Sequence, residues 1–245
     1  ARTSLLFGAD LSGVSIIQYL TQNLDKVLIG RFCGASPLGL YTKALQLAMM
    51  PVENIRMIFW DVGLSPLSTL QNESERYKQF FGRLLAIQSF LYLPIVVFIA
   101  IQAEDVIRLL LGEAWVSATP ILRIFAIAGF VTPIVGTFQL VMVSCGQTRR
   151  YLRWGIISGA CIILSYVLGI PWGVTGVAYA YACASYLLLF LAMQYCLKDT
   201  PITATFIIKN IRAAIISCFG AGAILITFLS QLPKSNALVN IAWSF

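Results

Sequence analysis

Four uncharged stretches constrain this chain more than anything else in it. Leu84 to Ala103, Ile124 to Thr148 and Ala213 to Pro233 hold no Asp, Glu, Lys or Arg, and Trp154 to Leu197 is uncharged throughout. Each of the first three is long enough as a helix to cross about 30 Å of hydrocarbon. The fourth is long enough for two crossings, divided by the Gly169 to Gly173 turn, GIPWG. Inside a bilayer every backbone polar group must be satisfied within the protein, which leaves helices or closed barrels. The run lengths select helices, so the fold class is an all-α polytopic membrane protein. Only 11% of the 245 residues are charged and 59% are hydrophobic, against about 25% charged in soluble domains.

Two further apolar segments precede these, about Ser4 to Phe32 and Pro37 to Leu67, and both carry charge. With them the chain has about seven complete spans. An eighth starts near Ala237 and stops at Phe245. The chain does not open on Met and ends within an apolar run, so it is expected to be a piece of a longer protein. Its formal charge of +7 does not point to nucleic acid, because the basic residues cluster in alternate short loops. Arg76, Lys78 and Arg83 form one group, Arg149, Arg150 and Arg153 another, and Lys198, Lys209 and Arg212 a third. That alternation fits the positive-inside rule and runs the first segment outward from the cytoplasm.

Histidine is absent, which removes His-based acid–base catalysis and His metal sites from these residues. The six cysteines show no CxxC spacing and read as small apolar fillers. No cofactor motif is present, and none is expected. Several local features follow from position. Pro51 lies inside the second segment, where it removes a helix hydrogen bond. Residues 104–115 form a short amphipathic helix ending at Gly112, with Trp115 at headgroup level. Thr119 and Pro120 are placed as cap and first residue of the fourth segment. Gly155, Gly159, Gly173 and Gly176 permit close helix contact.

The chemically distinctive set is the charge in the first two segments. An ionisable side chain at membrane depth costs about 2.5–3.5 kcal/mol on insertion scales and usually faces a cavity or a partner. Lys26, Arg31, Lys43 and Arg56 offer positive charge, and Asp25, Glu53 and Asp61 negative charge. In one reading the cations line a hydrated cavity and hold an anionic group, while the carboxylates balance them or carry a coupling ion. In the other, Asp25 pairs with Lys26 and Glu53 with Arg56, while Arg31 and Lys43 snorkel to the interface. Lys26 and Arg56 lie deepest and carry the functional reading furthest.

These same stretches resemble the polysaccharide-exporter branch of the MOP flippase superfamily, the Wzx-like lipopolysaccharide and colanic-acid exporters. The resemblance rests on NLDKVLIGRFCGASPLGLYTKALQLAMMPVENI, GLSPLSTLQNESERYKQFFGRLLAI, DVIRLLLGEAWVSATPILRIFAI and GQTRRYLRWGIISG. With the span pattern these cover most of Leu5 to about Leu197. Family members often carry Phe-Pro before Leu-Ser where this chain reads GLSPLSTLQ. The resemblance implies two six-helix lobes around a central cavity. Residues 1–197 would be the second lobe, and 198–245 one further helix and a truncated one. The implied partners are undecaprenyl-pyrophosphate-linked oligosaccharide, membrane lipids and the missing N-terminal lobe. The implied place is the bacterial inner membrane. Lys26, Arg56, Arg31 and Lys43 match in type the cations expected to hold the pyrophosphate.

Rival readings follow from the same residues. A MATE-like organic-cation antiporter calls for an acidic cavity without dominant Lys or Arg. An oligosaccharide ligase or polymerase calls for catalytic residues in a large outer loop, and the loops here are short. A membrane scaffold would tolerate loss of the charges.

Overall fold

A computed structural model describes residues 2–198 and 200–231, with side chains placed from residue 11 onward except those of 219, 223–226 and 228–231, and at Gly8. The expected eighth span near Ala237 lies outside the described residues. The described chain folds into helices α1 (Arg2–Phe32), α2 (Ala35–Thr69), α3 (Ser74–Ile101), α4 (Ala103–Leu111), α5 (Thr119–Gly129), α6 (Thr132–Ser144), α7 (Thr148–Gly169), α8 (Gly173–Tyr195) and α9 (Ala204–Gln231). Short 3-10 turns at Glu113–Ala118 and Ile170–Trp172 complete the order.

Four runs are apolar and long enough to cross a membrane: Ser74–Ile101, Glu113–Ser144, Thr148–Tyr195 and Ala204–Gly222. The third of these contains both α7 and α8. At about 1.5 Å rise per residue, α1 and α2 are long enough to cross as well, but their polar and charged residues keep them out of that apolar set. The protein is an all-α, multi-pass membrane protein.

Helix α3 shows how the pattern sorts its faces. Tyr77, Phe81, Leu84, Leu85, Gln88 and Tyr92 recur at helical spacing and are buried in the bundle. Ile87, Phe90, Leu91 and Phe98 are exposed, as side chains meeting lipid rather than water are free to be. Helix α9 packs along α3, where Gly82 leaves space for Phe206 and Asn210. Helices α1 and α7 pack at small residues: a Cβ on Gly159 would come within 2.9 Å of Ile17 and 3.1 Å of Thr21. At the α7–α8 hairpin the backbones themselves meet. A Cβ on Gly169 would lie 2.6 Å from the Cα of Val177, so glycine is required there.

The fourth segment is not one continuous helix. It breaks at Phe130–Val131 between α5 and α6, just ahead of Pro133, which sits in the first turn of α6. Proline has no N–H and cannot close the preceding turn. Side chains from neighbouring helices serve the backbone at this break. The Tyr92 hydroxyl donates to the Phe130 carbonyl at 3.2 Å and the Tyr186 hydroxyl to the Ile127 carbonyl at 3.1 Å. Pro51, Pro66 and Pro94, in contrast, stay inside α2 and α3.

Thr119 does not cap α5. It is the first helical residue, and its hydroxyl donates to the Val116 carbonyl at 2.7 Å in the preceding 3-10 turn. The amphipathic segment forms as expected, with α4 ending at Gly112 in a left-handed conformation (φ +87°). Arg108 bonds Glu104 at 2.8 Å and also Glu113. These bonds, Glu104 foremost, raise the Arg108 pKa.

Candidate functional site: polar groups of the first two helices

The charged set divides by depth. The α1–α2 hairpin turns at Gly34, whose φ of +92° only glycine adopts readily. At about 1.5 Å per residue, Lys26 lies about 12 Å along α1 from that turn and Arg56 about 33 Å along α2. The two cations therefore belong to different levels of the protein.

The upper level centres on Asp25. Its carboxylate is 1% exposed. The Tyr41 hydroxyl donates to Oδ2 at 3.0 Å, and the Lys26 backbone N–H lies 2.7 Å from Oδ1. Tyr41 meets Phe125 edge-on at 5.1 Å between ring centroids, Phe125 meets Tyr181 at 5.8 Å, and Tyr181 stacks with Tyr166 at 6.1 Å. This run of rings walls the carboxylate with α2, α5, α7 and α8. The Lys26 ammonium turns away, donating to Asn23 Oδ1 at 3.3 Å, so a Lys26–Asp25 side-chain pair is not formed. Arg31 and Lys43 are exposed and form no ion pair among the described residues.

The lower level centres on Arg56. Its Nε donates to Glu53 Oε2 at 2.6 Å, the i to i+3 pairing that a helix permits. Both side chains are partly accessible, at 29% for Arg56 and 38% for Glu53. The two terminal guanidinium nitrogens have no acceptor among the described residues. Arg56 owes its placement to α6: a Cβ on Gly136 would lie 2.8 Å from Arg56 Cδ, so the bare glycine seats the arginine stem. Arg56, Phe59, Trp60, Gln88, Gly136, Thr137 and Leu140 wall a pocket between α2, α3 and α6. It has room for about one water. Asp61, next in sequence to the pocket residue Trp60, is exposed.

Two features were missed from sequence. The first is Gln88, 1% exposed, with neither amide atom hydrogen-bonded. A buried polar group left unsatisfied costs about 1–3 kcal/mol. It stands on the apolar stripe of α3 in an uncharged run, and a glutamine amid core positions was the available signal. The second is Arg150, counted among loop cations. Its guanidinium donates to the carbonyls of Lys198, at 2.6 Å, and Tyr195, and lies 5.1 Å over the Tyr195 ring. It closes the C-terminal end of α8, where carbonyls lack helical partners.

Taken together, these helices define a multi-pass membrane protein with a buried carboxylate and a partly open arginine–glutamate pair in its charged hairpin. Residues 1–120, which include all seven charged residues considered above, match a family model described as polysaccharide biosynthesis protein. Teichuronic acid biosynthesis protein TuaB of Bacillus subtilis (strain 168) is 28% identical over 73% of this chain and 37% of its own length. Lipopolysaccharide biosynthesis protein WzxC of Escherichia coli (strain K12) is 24% identical over 68% of this chain and 34% of its own. Succinoglycan biosynthesis transport protein ExoT of Rhizobium meliloti (strain 1021) is 25% identical over 62% and 31%. The chain thus spans roughly a third of the length of these relatives. No solved structure is significantly similar to it. Over these stretches the chain is similar to proteins of polysaccharide biosynthesis.

Proposed function

We propose that this chain is the second lobe of an exporter of undecaprenyl-pyrophosphate-linked oligosaccharide. In this reading residues 1–197 form the lobe and 198–245 the additional helices, in the bacterial inner membrane. The complete protein carries its cargo from the inner to the outer leaflet by alternating access, without covalent chemistry. The relatives' names support the polysaccharide pathway and, for one of them, transport.

The observation that carries the reading is Arg56. A guanidinium with one nitrogen held by Glu53 and two uncommitted is suited to charge-assisted bonds with a diphosphate. Glu53 keeps the arginine neutralised when no cargo is bound and gives way to phosphate when it is. Lys26, Arg31 and Lys43 supply further positive charge toward the other end of the hairpin. Asp25, Glu53 and Asp61 balance these cations or carry a coupling ion. An organic-cation antiporter would need its carboxylate open to cargo, whereas Glu53 is engaged by Arg56 and Asp25 is enclosed.

The test is complementation of a strain lacking its own exporter by the full-length gene. Arg56→Gln is expected to cut surface polysaccharide at least about tenfold at equal membrane protein level, the loss of a charge-assisted contact worth about 1.5–3 kcal/mol. Undiminished export from Arg56→Gln would contradict the role.

A further inference from the structure

Gln88 is the feature of the pocket that nothing above explains. It sits within α3, buried, with an amide N–H2 and a carbonyl oxygen that no group among the described residues satisfies. It shares the pocket with Arg56, Trp60 and Thr137. The Thr137 hydroxyl donates to the Ile134 carbonyl at 2.7 Å, so it presents only lone pairs to the pocket. The unmet polar capacity here is thus the two N–H donors and the carbonyl of the amide, the Thr137 lone pairs and the free end of a guanidinium.

That inventory discriminates among occupants. A phosphate or carboxylate oxygen accepts only, and would leave the Gln88 carbonyl facing negative charge. A hydroxyl gives and takes at once, and matches an amide on both counts. The pocket has room for about one water, about the size of a single hydroxyl group. The indole of Trp60 supplies an apolar wall beside it, the usual composition of a site in which few polar groups fix orientation.

Resting on the exporter reading above, we propose that Gln88 is a specificity-determining residue. It receives one hydroxyl of the cargo's sugar while Arg56 engages the neighbouring anionic group. The anionic contact is common to every polyprenyl-pyrophosphate cargo, and the hydroxyl contact distinguishes a sugar-bearing lipid from a bare one. A site built to hydrogen-bond a hydroxyl discriminates against an analogue lacking it.

The experiment uses the full-length protein in lipid nanodiscs. Binding of two probes is titrated: lipid-linked oligosaccharide purified from the producing cell, and bare undecaprenyl pyrophosphate. Gln88→Leu is expected to weaken oligosaccharide-lipid binding about threefold to tenfold, the loss of a neutral hydrogen bond, and to leave the bare lipid unchanged. Its melting temperature without cargo is expected to stay level or rise, because an unsatisfied amide is replaced by an apolar group of similar size. Gln88→Met should behave alike. Equal binding of both probes by wild type and Gln88→Leu, a parallel loss for both, or a lowered melting temperature would each overturn the proposal, marking the amide's partner as structural water or protein. Failure of the wild type to bind either probe would overturn the exporter reading itself, and the Gln88 role with it.

Discussion

The Tyr41 hydroxyl donates to Asp25 Oδ2 at 3.0 Å, joining α2 to α1 across the Gly34 turn. Both side chains are shut away from the surface, at 0% and 1% exposure. A buried carboxylate stripped of its donor loses far more than a surface one, because no water replaces the bond. Tyr41→Phe is expected to destabilise the protein by about 1–3 kcal/mol. Thermal melting in detergent of Tyr41→Phe, Asp25→Asn and the double variant checks this. The double variant should be less destabilised than the sum of the singles, and strict additivity would show the bond to be idle.

Gly136 is expected to matter through Arg56. In Gly136→Ala the new Cβ meets Arg56 Cδ at 2.8 Å, and the flexible arginine stem must move before the helices do. Protein level should therefore hold while export falls severalfold, as for Arg56→Gln. Gly220→Ala, with nothing within 4 Å of its Cβ, is the control and should export normally. Normal export from Gly136→Ala would mean that the position of the arginine is unimportant.

The α7–α8 hairpin has no such slack. Gly169→Ala would drive a methyl against the Val177 Cα and the Gly176 carbonyl, and backbone cannot turn aside as a side chain does. Overpacking of this kind costs about 1–3 kcal/mol. A lowered melting temperature and reduced membrane level are expected, with no selective effect on cargo.

Arg150 separates structure from topology among the loop cations. Arg150→Gln should lower stability by about 1–3 kcal/mol through its lost bonds to the carbonyls of Tyr195, at the end of α8, and Lys198, just beyond it. Arg149→Gln and Arg153→Gln, both exposed, should change melting by less than about 0.5 kcal/mol. Arg150→Lys should rescue only in part, since an ammonium lacks the guanidinium fork. Equal melting of all three Gln variants would assign Arg150 to orientation alone.

The helices, the turn ending at Gly173 and the amphipathic α4 were legible in the sequence because length, charge and glycine position act locally, whereas the turn at Gly34 came from the structure. The Glu53–Arg56 pair was legible for the same reason, since a helix fixes neighbours at i and i+3. What sequence could not supply was contact between segments. Tyr41 on Asp25, Gly136 under Arg56 and Arg150 on α8 each join residues from different helices, and no periodicity within one helix encodes them. The break at Phe130 was not legible, because Ile124 to Thr148 reads as one crossing and Tyr92 and Tyr186, which serve the carbonyls there, lie on other helices. The single cluster of cations expected from the charge pattern resolved into two levels once the rise along each helix was taken from the shared turn.

The most direct measurement is transbilayer movement itself. The full-length protein is reconstituted into liposomes whose inner leaflet alone carries lipid-linked oligosaccharide, and outward appearance is followed with an impermeant lectin. With wild-type protein the oligosaccharide should reach the outer face at least about tenfold faster than in Arg56→Gln vesicles, which should resemble protein-free ones. Equal rates in all three preparations would contradict the claim that this chain is part of a lipid-linked oligosaccharide exporter.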